Sequence, residues 1–193
     1  MSMAGKENKV QFNLKNVHYA VMTTTGASQA WSTPVAVPGA VSLSLDPQGE
    51  VSPFYADGIV YYQSAGNNGY SGDLTMARFP DQMMQDVWKF ELNSTDKVLI
   101  ENVNVEQASF ALLFQIDGDA DNQYYCLYNC TGTRPPIASQ TNEDTKEPQT
   151  QASTISAVAL ENGNVMARTT AETTEEVKAQ WFKKVYEPAS AAA

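Results

Sequence analysis

The sequence predicts an antiparallel β-sandwich or barrel of about eight or nine strands, with one helix packed on it and a short helix near the C-terminus. Several segments alternate apolar and polar residues with the period of two that half-buried strands show. Turn-rich connections, not helical crossovers, separate these segments, which favours antiparallel pairing. A chain of 193 residues is long enough for one domain with its own hydrophobic core and short for two.

The N-terminal part begins with a polar segment. Residues 1–9 are predicted to be a flexible arm, residues 10–188 a single domain and residues 189–193 a tail. The first strand is expected within residues 10–24. A turn-rich loop carrying Trp31 follows, and the two prolines of residues 34–39 indicate an extended edge segment.

Residues 41–77 are predicted to form three strands with two connections. Apolar residues alternate with Ser42, Ser44 and Asp46, so one face of this strand is polar and the other, including Val41, is expected to be buried. Residues 59–62 are β-branched or aromatic and suit the return strand. The connection over residues 46–58 is longer than a tight hairpin needs, and long connections inside compact domains are usually functional.

Two helices are predicted. Pro80 and Asp81 suit the first turn of a helix over about residues 80–92. Its apolar face consists of Met84, Val87, Trp88 and Leu92. Residues 173–176 fit a capping box, and apolar residues at intervals of four then indicate a short helix that ends near residue 188.

The remaining strands are expected at residues 98–105, 109–116, 124–131, 150–160 and 165–170, and a turn at residues 162–164 should pair the last two as a hairpin. Residues 138–149 are polar without periodicity and are predicted to form a projecting loop. Cys126 and Cys130 lie about 13 Å apart along one strand, beyond the roughly 7 Å limit for a disulfide. Both are therefore expected to be reduced and buried.

The charge balance excludes several functions. The net charge is −10 and the isoelectric point about 4.4, which argues against tightly held nucleic acid and against an anionic membrane surface. The sequence shows no signal peptide or membrane segment, so synthesis in the cytoplasm is expected. Residues 16–77 contain no Lys or Arg, although 12 in 193 residues would place about four there.

No catalytic, metal or cofactor motif stands out, and the chain is predicted not to be an enzyme. His18 is the only histidine and lacks the sequence context of a catalytic triad. Asp117, Asp119 and Asp121 occupy calcium-loop positions 1, 3 and 5, but the sixth position is not Gly and the twelfth is Tyr128. A hairpin loop is the favoured interpretation. An acidic β-domain of this kind is most simply a binding or structural protein.

Seven short strings, in their order and spacing, resemble the major tail protein of long-tailed, non-contractile bacteriophages (siphophages) of Gram-positive hosts. The strings are KNVHYA (15–20), PGAVSL (38–43), FYADG (54–58), YSGDL (70–74), FALLF (110–114), LYNCT (127–131) and EPQT (147–150). The resemblance covers roughly residues 10–186 and leaves out the arm and the tail.

The resemblance implies a tail tube protein of the virion, made in the host bacterial cytoplasm. In that family a β-sandwich assembles into six-fold rings, and the rings stack into a tube through which DNA passes into the host. The expected partners are further copies of the chain, a tape measure protein inside the tube and a terminator at its end. The resemblance also implies that DNA passes without specific binding.

Three groups of residues receive roles on this interpretation. A conduit for DNA should have a neutral or acidic wall, so the polar alternation is predicted to face the lumen. The lumen-facing residues are Ser42, Ser44, Asp46 and Gln63. The predicted ring-stacking loop carries Gln48, Glu50, Phe54, Tyr55 and Asp57. The predicted inter-subunit loop carries Asn142, Glu143, Lys146 and Glu147.

Three alternatives remain open at this point. A related tail component, such as a terminator or neck protein, would stop at one ring. A carbohydrate-binding β-sandwich would use an aromatic platform of Trp31, Tyr55, Tyr61 and Tyr62. A hydrolase would use loop carboxylates, for which the sequence offers no positive sign.

Overall fold

The computed structural model describes residues 7–25, 28–141 and 147–188. Within these ranges the chain forms thirteen strands and two short helices. The strands are β1 Gln11–Thr25, β2 Ser28–Trp31, β3 Val35–Ala36, β4 Ala40–Gln48, β5 Val51–Ala56, β6 Ile59–Ala65, β7 Gly69–Met76, β8 Glu91–Leu92, β9 Leu99–Ile100, β10 Phe110–Gly118, β11 Gln123–Gly132, β12 Gln151–Val158 and β13 Met166–Arg168. The helices are α1 Asp81–Asp86 and α2 Glu175–Gln180.

Nine strands form one antiparallel sheet in the order β2-β1-β10-β11-β12-β7-β4, with β3 beside β1 and β13 beside β11. Strand β4, at one end of this order, also approaches β1 near the other end. The sheet therefore curls toward a barrel, which confirms the predicted fold class.

The first hydrophobic core lies on the face of the sheet that α1 covers. Phe110, Leu112 and Phe114 of β10 project into it, together with side chains from β1, β7, β11 and β12. The Trp88 indole N–H, just after α1, donates to the carbonyl of Gly132 at 2.9 Å, which anchors this segment to β11.

Helix α1 is shorter than predicted. It ends at Asp86, and Lys89 has a positive φ of 58°, a conformation that cannot continue a right-handed helix. Val87 and Trp88 are buried as expected, but Leu92 belongs to β8 and is 46% exposed. The prediction of a helix to residue 92 was wrong, because the chain leaves the helix once its core contacts are made.

A second core lies on the opposite face of the sheet. Ala111 and Leu113 of β10 pack there with Trp181 and Val185 from α2 and the residues after it. Strand β10 is therefore covered on both faces, which explains the unbroken apolar string at residues 110–114. Val177, Trp181 and Val185 all pack in this core, but the predicted helix to about residue 188 was wrong, because α2 ends at Gln180 and the last two of these residues follow it.

The capping box predicted for α2 is not formed. The N-cap is Thr174, which makes no side-chain capping bond. The Thr173 hydroxyl instead accepts a hydrogen bond from the Thr170 backbone N–H at 2.9 Å, so it stabilises the turn before the helix.

The two cysteines are free and buried, as predicted. A β-bulge in the β10–β11 ladder places Cys126 in the second core and Cys130 in the first. Burial raises the pKa of the Cys126 thiol to about 12 and also raises that of Cys130, so both are poor nucleophiles.

One predicted loop and one predicted strand differ in the structure. Within the segment expected to be a loop, β2 pairs with β1, and Trp31 of β2 donates its indole N–H to the Tyr128 carbonyl at 3.0 Å. This contact with the sheet outweighs the turn-forming composition. Of residues 98–105, only β9 is a strand, and it pairs with β8 in a separate two-stranded ribbon.

The turn at residues 162–164 forms, but its predicted hairpin does not. The Leu160 N–H donates to the Asn164 carbonyl at 2.9 Å, which closes the turn. The chain then crosses to β11, where Arg168 is opposite Tyr125, so β13 pairs with β11 and not with β12. Strand β11 has room for both because β12 pairs only with its C-terminal half.

The acidic turn between β10 and β11 is a structural junction. Asp117 forms an ion pair with Lys15, and Asp121 forms one with Lys178 at 2.8 Å. The Asp119 carboxylate accepts the backbone N–H of Lys9 at 2.7 Å. The predicted hairpin loop thus anchors both α2 and the start of the described chain.

Candidate functional site

Strands β4 and β7 continue beyond the main sheet as the hairpin β5–β6. Backbone hydrogen bonds from Asn68 to Gln48 and from Gly66 to Glu50 carry the ladder across the junction. Residues 40–76 are therefore one long, bent hairpin. We call its outer part, residues 51–65, the distal hairpin.

The predicted pairing of this region was wrong. Strand β4 pairs with β7, whereas residues 59–62 pair with β5, which lies inside the segment predicted to be a connection. Asp57 and Gly58 have φ values of 54° and 76°, the positive pair that a tight type I′ hairpin turn requires. The turn that reverses the chain is therefore this dipeptide.

Gly49 permits the bend between the two parts. Its φ is 153°, and a Cβ atom at this position would overlap the carbonyl oxygen of Gly66 on the opposite strand. Because that obstacle is backbone, no side-chain rotation would relieve it. Glycine is therefore required where the distal hairpin leaves the sheet.

The distal hairpin exposes apolar side chains on both faces. Every residue of β6 is exposed, as is every residue of β5 except the half-buried Ala56. Its large apolar residues have exposed fractions of 49–70% and are Val51, Phe54, Tyr55, Ile59, Val60, Tyr61 and Tyr62. A lone two-stranded hairpin is at best marginally stable in water, and contiguous exposed apolar surface marks interaction sites.

The base of the long hairpin carries the polar alternation. Ser42, Ser44 and Asp46 are exposed, while Leu43 and Leu45 are half-buried against the first core. Val41 was expected to be buried but is 54% exposed, because the β4–β7 ladder shifts register between residues 40 and 42.

This polar surface is wider than the sequence indicated. Residues opposite one another on β4, β7 and β12 share a face, and the Thr154 hydroxyl donates to the Asp73 carboxylate at 2.7 Å. We call this surface the hydroxyl face; it consists of Ser42, Ser44, Asp46, Ser71, Asp73, Thr75, Thr154 and Ser156. Alternation at residues 70–77 and in the 150–160 segment was the available signal, but nothing in the sequence showed that these strands are neighbours.

The predicted lumen residues fall in two places. Ser42, Ser44 and Asp46 lie on the hydroxyl face, whose only charges are Asp46 and Asp73. Gln63 lies on β6 opposite Pro53, in the distal hairpin and outside the hydroxyl face.

The predicted stacking residues are all exposed. Phe54, Tyr55 and Asp57 belong to the distal hairpin, while Gln48 and Glu50 lie where it joins β4.

Of the predicted inter-subunit loop, Glu147 is exposed, and Asn142, Glu143 and Lys146 lie outside the described residues.

The aromatic platform proposed for carbohydrate is not assembled. Trp31 packs against Tyr128 with ring centroids 5.8 Å apart, whereas Tyr55, Tyr61 and Tyr62 are on the distal hairpin.

His18 has a structural environment. Its Nδ1 is 2.8 Å from the Asn16 carbonyl oxygen, and its ring stacks on Phe182 at 4.8 Å.

An open groove lies beside the base of the long hairpin. It has a volume of about 230 Å³. We call it the apolar groove; its lining residues are Leu43, Leu45, Tyr70, Phe114, Ile116, Tyr125, Leu127 and Met166. The lining contains no ionisable group except the two tyrosine hydroxyls.

Comparison with known proteins leaves the family open. No protein-family model and no curated protein matches the chain. Among solved structures, the chain is similar to the anti-feeding prophage cap, an AFP tube terminating cap determined by cryo-EM. The identity is 13% and the TM-score 0.43, over 88% of this chain and 99% of that one. A likeness this weak assigns no function. No helix in the described parts of the chain is long and apolar enough to cross a membrane.

Proposed function

We propose that the protein is a structural component of a bacteriophage tail whose copies assemble into stacked rings that form the tail tube. The exposed distal hairpin is the observation that carries this proposal. Full burial of a large apolar side chain is worth roughly 1.5–3 kcal/mol, and this hairpin leaves seven such side chains about half exposed or more. Association with further copies would cover them.

The hydroxyl face supplies a suitable wall for the conduit. It combines six hydroxyl side chains with two carboxylates and has no basic residue. A surface with two carboxylates and no cation does not attract phosphate electrostatically, so DNA would pass without being held. In the proposed tube, Ser42, Ser44 and Asp46 face the lumen together with their newly recognised neighbours on β7 and β12.

The finer features rest on the sequence resemblance to siphophage major tail proteins. These are six-fold symmetry, DNA ejection, location in the virion, and contacts with a tape measure protein and a terminator. The chain uses no cofactor and catalyses no reaction in this proposal. The terminator alternative predicts a single closed ring, so the two functions differ in whether assembly continues beyond one ring.

Electron microscopy of the purified protein tests the proposal. Negative-stain images and sedimentation velocity should show rings and tubes at high concentration. A matched variant replaces residues 51–65 with Asn-Gly. Since the Gly66 N–H already bonds to the Glu50 carbonyl, these two residues would complete a two-residue turn.

The variant should fold and remain monomeric. Single rings from the native chain would favour a terminator. A native chain that stays monomeric at all concentrations, or a variant that still forms tubes, would contradict the proposal.

A further inference from the structure

We propose that the distal hairpin of one copy inserts into the apolar groove of a second copy. This inference rests on the proposed function and identifies the two surfaces that would meet. The hairpin presents apolar side chains that nothing in the described chain covers. The groove is an uncovered apolar depression on a different part of the same molecule.

The groove suits side chains better than a small molecule. Its volume of about 230 Å³ lies below the roughly 300–1,000 Å³ typical of small-molecule sites. Its lining is aliphatic and aromatic and includes no carboxylate, amide or cation that would orient a polar ligand. The aromatic side chains near the end of the distal hairpin have the matching character.

The hairpin does not fill the groove of its own chain. No residue of the distal hairpin lines that groove. The ladder bonds at Gln48 and Glu50 hold the hairpin as a continuation of β4 and β7 beyond the main sheet. A second copy is therefore the source of the occupant.

Charge also favours a contact of this type. Each copy carries a net charge of −10, so copies repel one another at long range. Asp57, at the turn, is the only charged side chain of the distal hairpin, and the groove has no charged residue. An uncharged contact desolvates few ions, and added salt should strengthen association by screening the repulsion.

The contact would be head-to-tail because the donor and acceptor surfaces differ. Such an interface leaves a free hairpin at one end and a free groove at the other, so it propagates into a ring or a filament instead of stopping at a dimer. One type of contact would thus be sufficient for a ring or a filament, and the stacking of rings into a tube would need a further contact.

Cross-linking between two differently labelled copies tests the contact. One variant carries Tyr61→Cys on the hairpin, and the other carries Met166→Cys at the groove. The native cysteines are fully buried with raised pKa values, so they should react little with the cross-linker. After mixing and assembly, a short bismaleimide should join the two variants at least tenfold more than a pair in which Val103→Cys replaces Met166→Cys.

A charged substitution provides the second measurement. Met166→Glu should raise the concentration needed for assembly at least tenfold, whereas Val158→Glu, on a strand residue of similar exposure, should leave it nearly unchanged. Tubes that form without the Tyr61–Met166 cross-link and tolerate Met166→Glu would overturn this contact but leave the proposed function intact. Absence of assembly by the native chain would overturn both.

Discussion

Strand β10 and the distal hairpin contain the same kind of sequence in opposite surroundings. Residues 110–114 and 59–62 are both unbroken apolar runs rich in strand-forming residues. Both faces of β10 are covered by the two cores, whereas β6 is exposed along its whole length. An apolar run therefore predicts burial, but it does not show whether the same chain or a second molecule buries it.

Truncation of a core residue should have the largest effect in this comparison. Leu112 is fully buried, so Leu112→Ala should lower the free energy of unfolding by about 2–5 kcal/mol. Tyr62→Ala, on the exposed hairpin, should change it by less than about 0.5 kcal/mol. Urea denaturation of unassembled protein measures both. A large loss of monomer stability from Tyr62→Ala would mean that the hairpin packs on its own chain.

The hydrogen bond beneath α1 should give the next largest effect. Trp88→Phe keeps most of the ring but leaves the buried Gly132 carbonyl without its partner. The free energy of unfolding should fall by about 1–3 kcal/mol in the same denaturation experiment. Trp31→Phe is a useful control. The indole hydrogen bond of Trp31 lies at a half-buried position, so this substitution should lower the free energy of unfolding by less.

Gly49→Ala should change the bend of the long hairpin and leave the rest of the fold in place. A Cβ atom would meet the Gly66 carbonyl, so the distal hairpin must shift, while the cores are distant from the change. Monomer stability should fall by about 1 kcal/mol, and tube formation should be lost or need a higher concentration. Gly66→Ala is the control, since Gly66 lies on the opposite strand of the same bend without a positive φ, and a Cβ there makes only ordinary contacts, the nearest at 3.7 Å. Normal tubes from Gly49→Ala would show that the bend is unimportant for assembly.

Much of the fold could be predicted because alternation along a strand is a local property. The strands in the 110–116, 124–131 and 150–160 segments follow from this pattern, as does the polar face of β4. Strand order is not local. The sequence could not show that β13 joins β11, or that β12 extends the hydroxyl face, since both depend on contacts between distant segments.

The distal hairpin was missed for a different reason. Pro47, Gly49 and Pro53 interrupt residues 46–58, and such residues normally indicate a connection. They are tolerated here because β4 and β5 each lack a strand on one side, so a missing N–H breaks no ladder. The prediction that this segment is a ring-stacking loop depended on its length alone, and the structure adds the exposed apolar surface.

The smallest expected effect concerns the junction below β10. The hydrogen bond from Lys15 lowers the pKa of the Asp117 carboxyl. A carboxyl with a lowered pKa in the folded state adds stability above its unfolded pKa of about 3.9, and this stability disappears as the pH falls through the folded value. Asp117→Asn should therefore lower the free energy of unfolding by up to about 1 kcal/mol at pH 7 and hardly at all near pH 2.

Denaturation measurements at both pH values test this prediction. They use the variant in which residues 51–65 are replaced, so that assembly does not interfere. Glu187→Gln is the control: Glu187 forms a more exposed ion pair with Lys184, and its substitution should be close to neutral at either pH. An equal loss from Asp117→Asn at both pH values would assign its role to packing instead of charge.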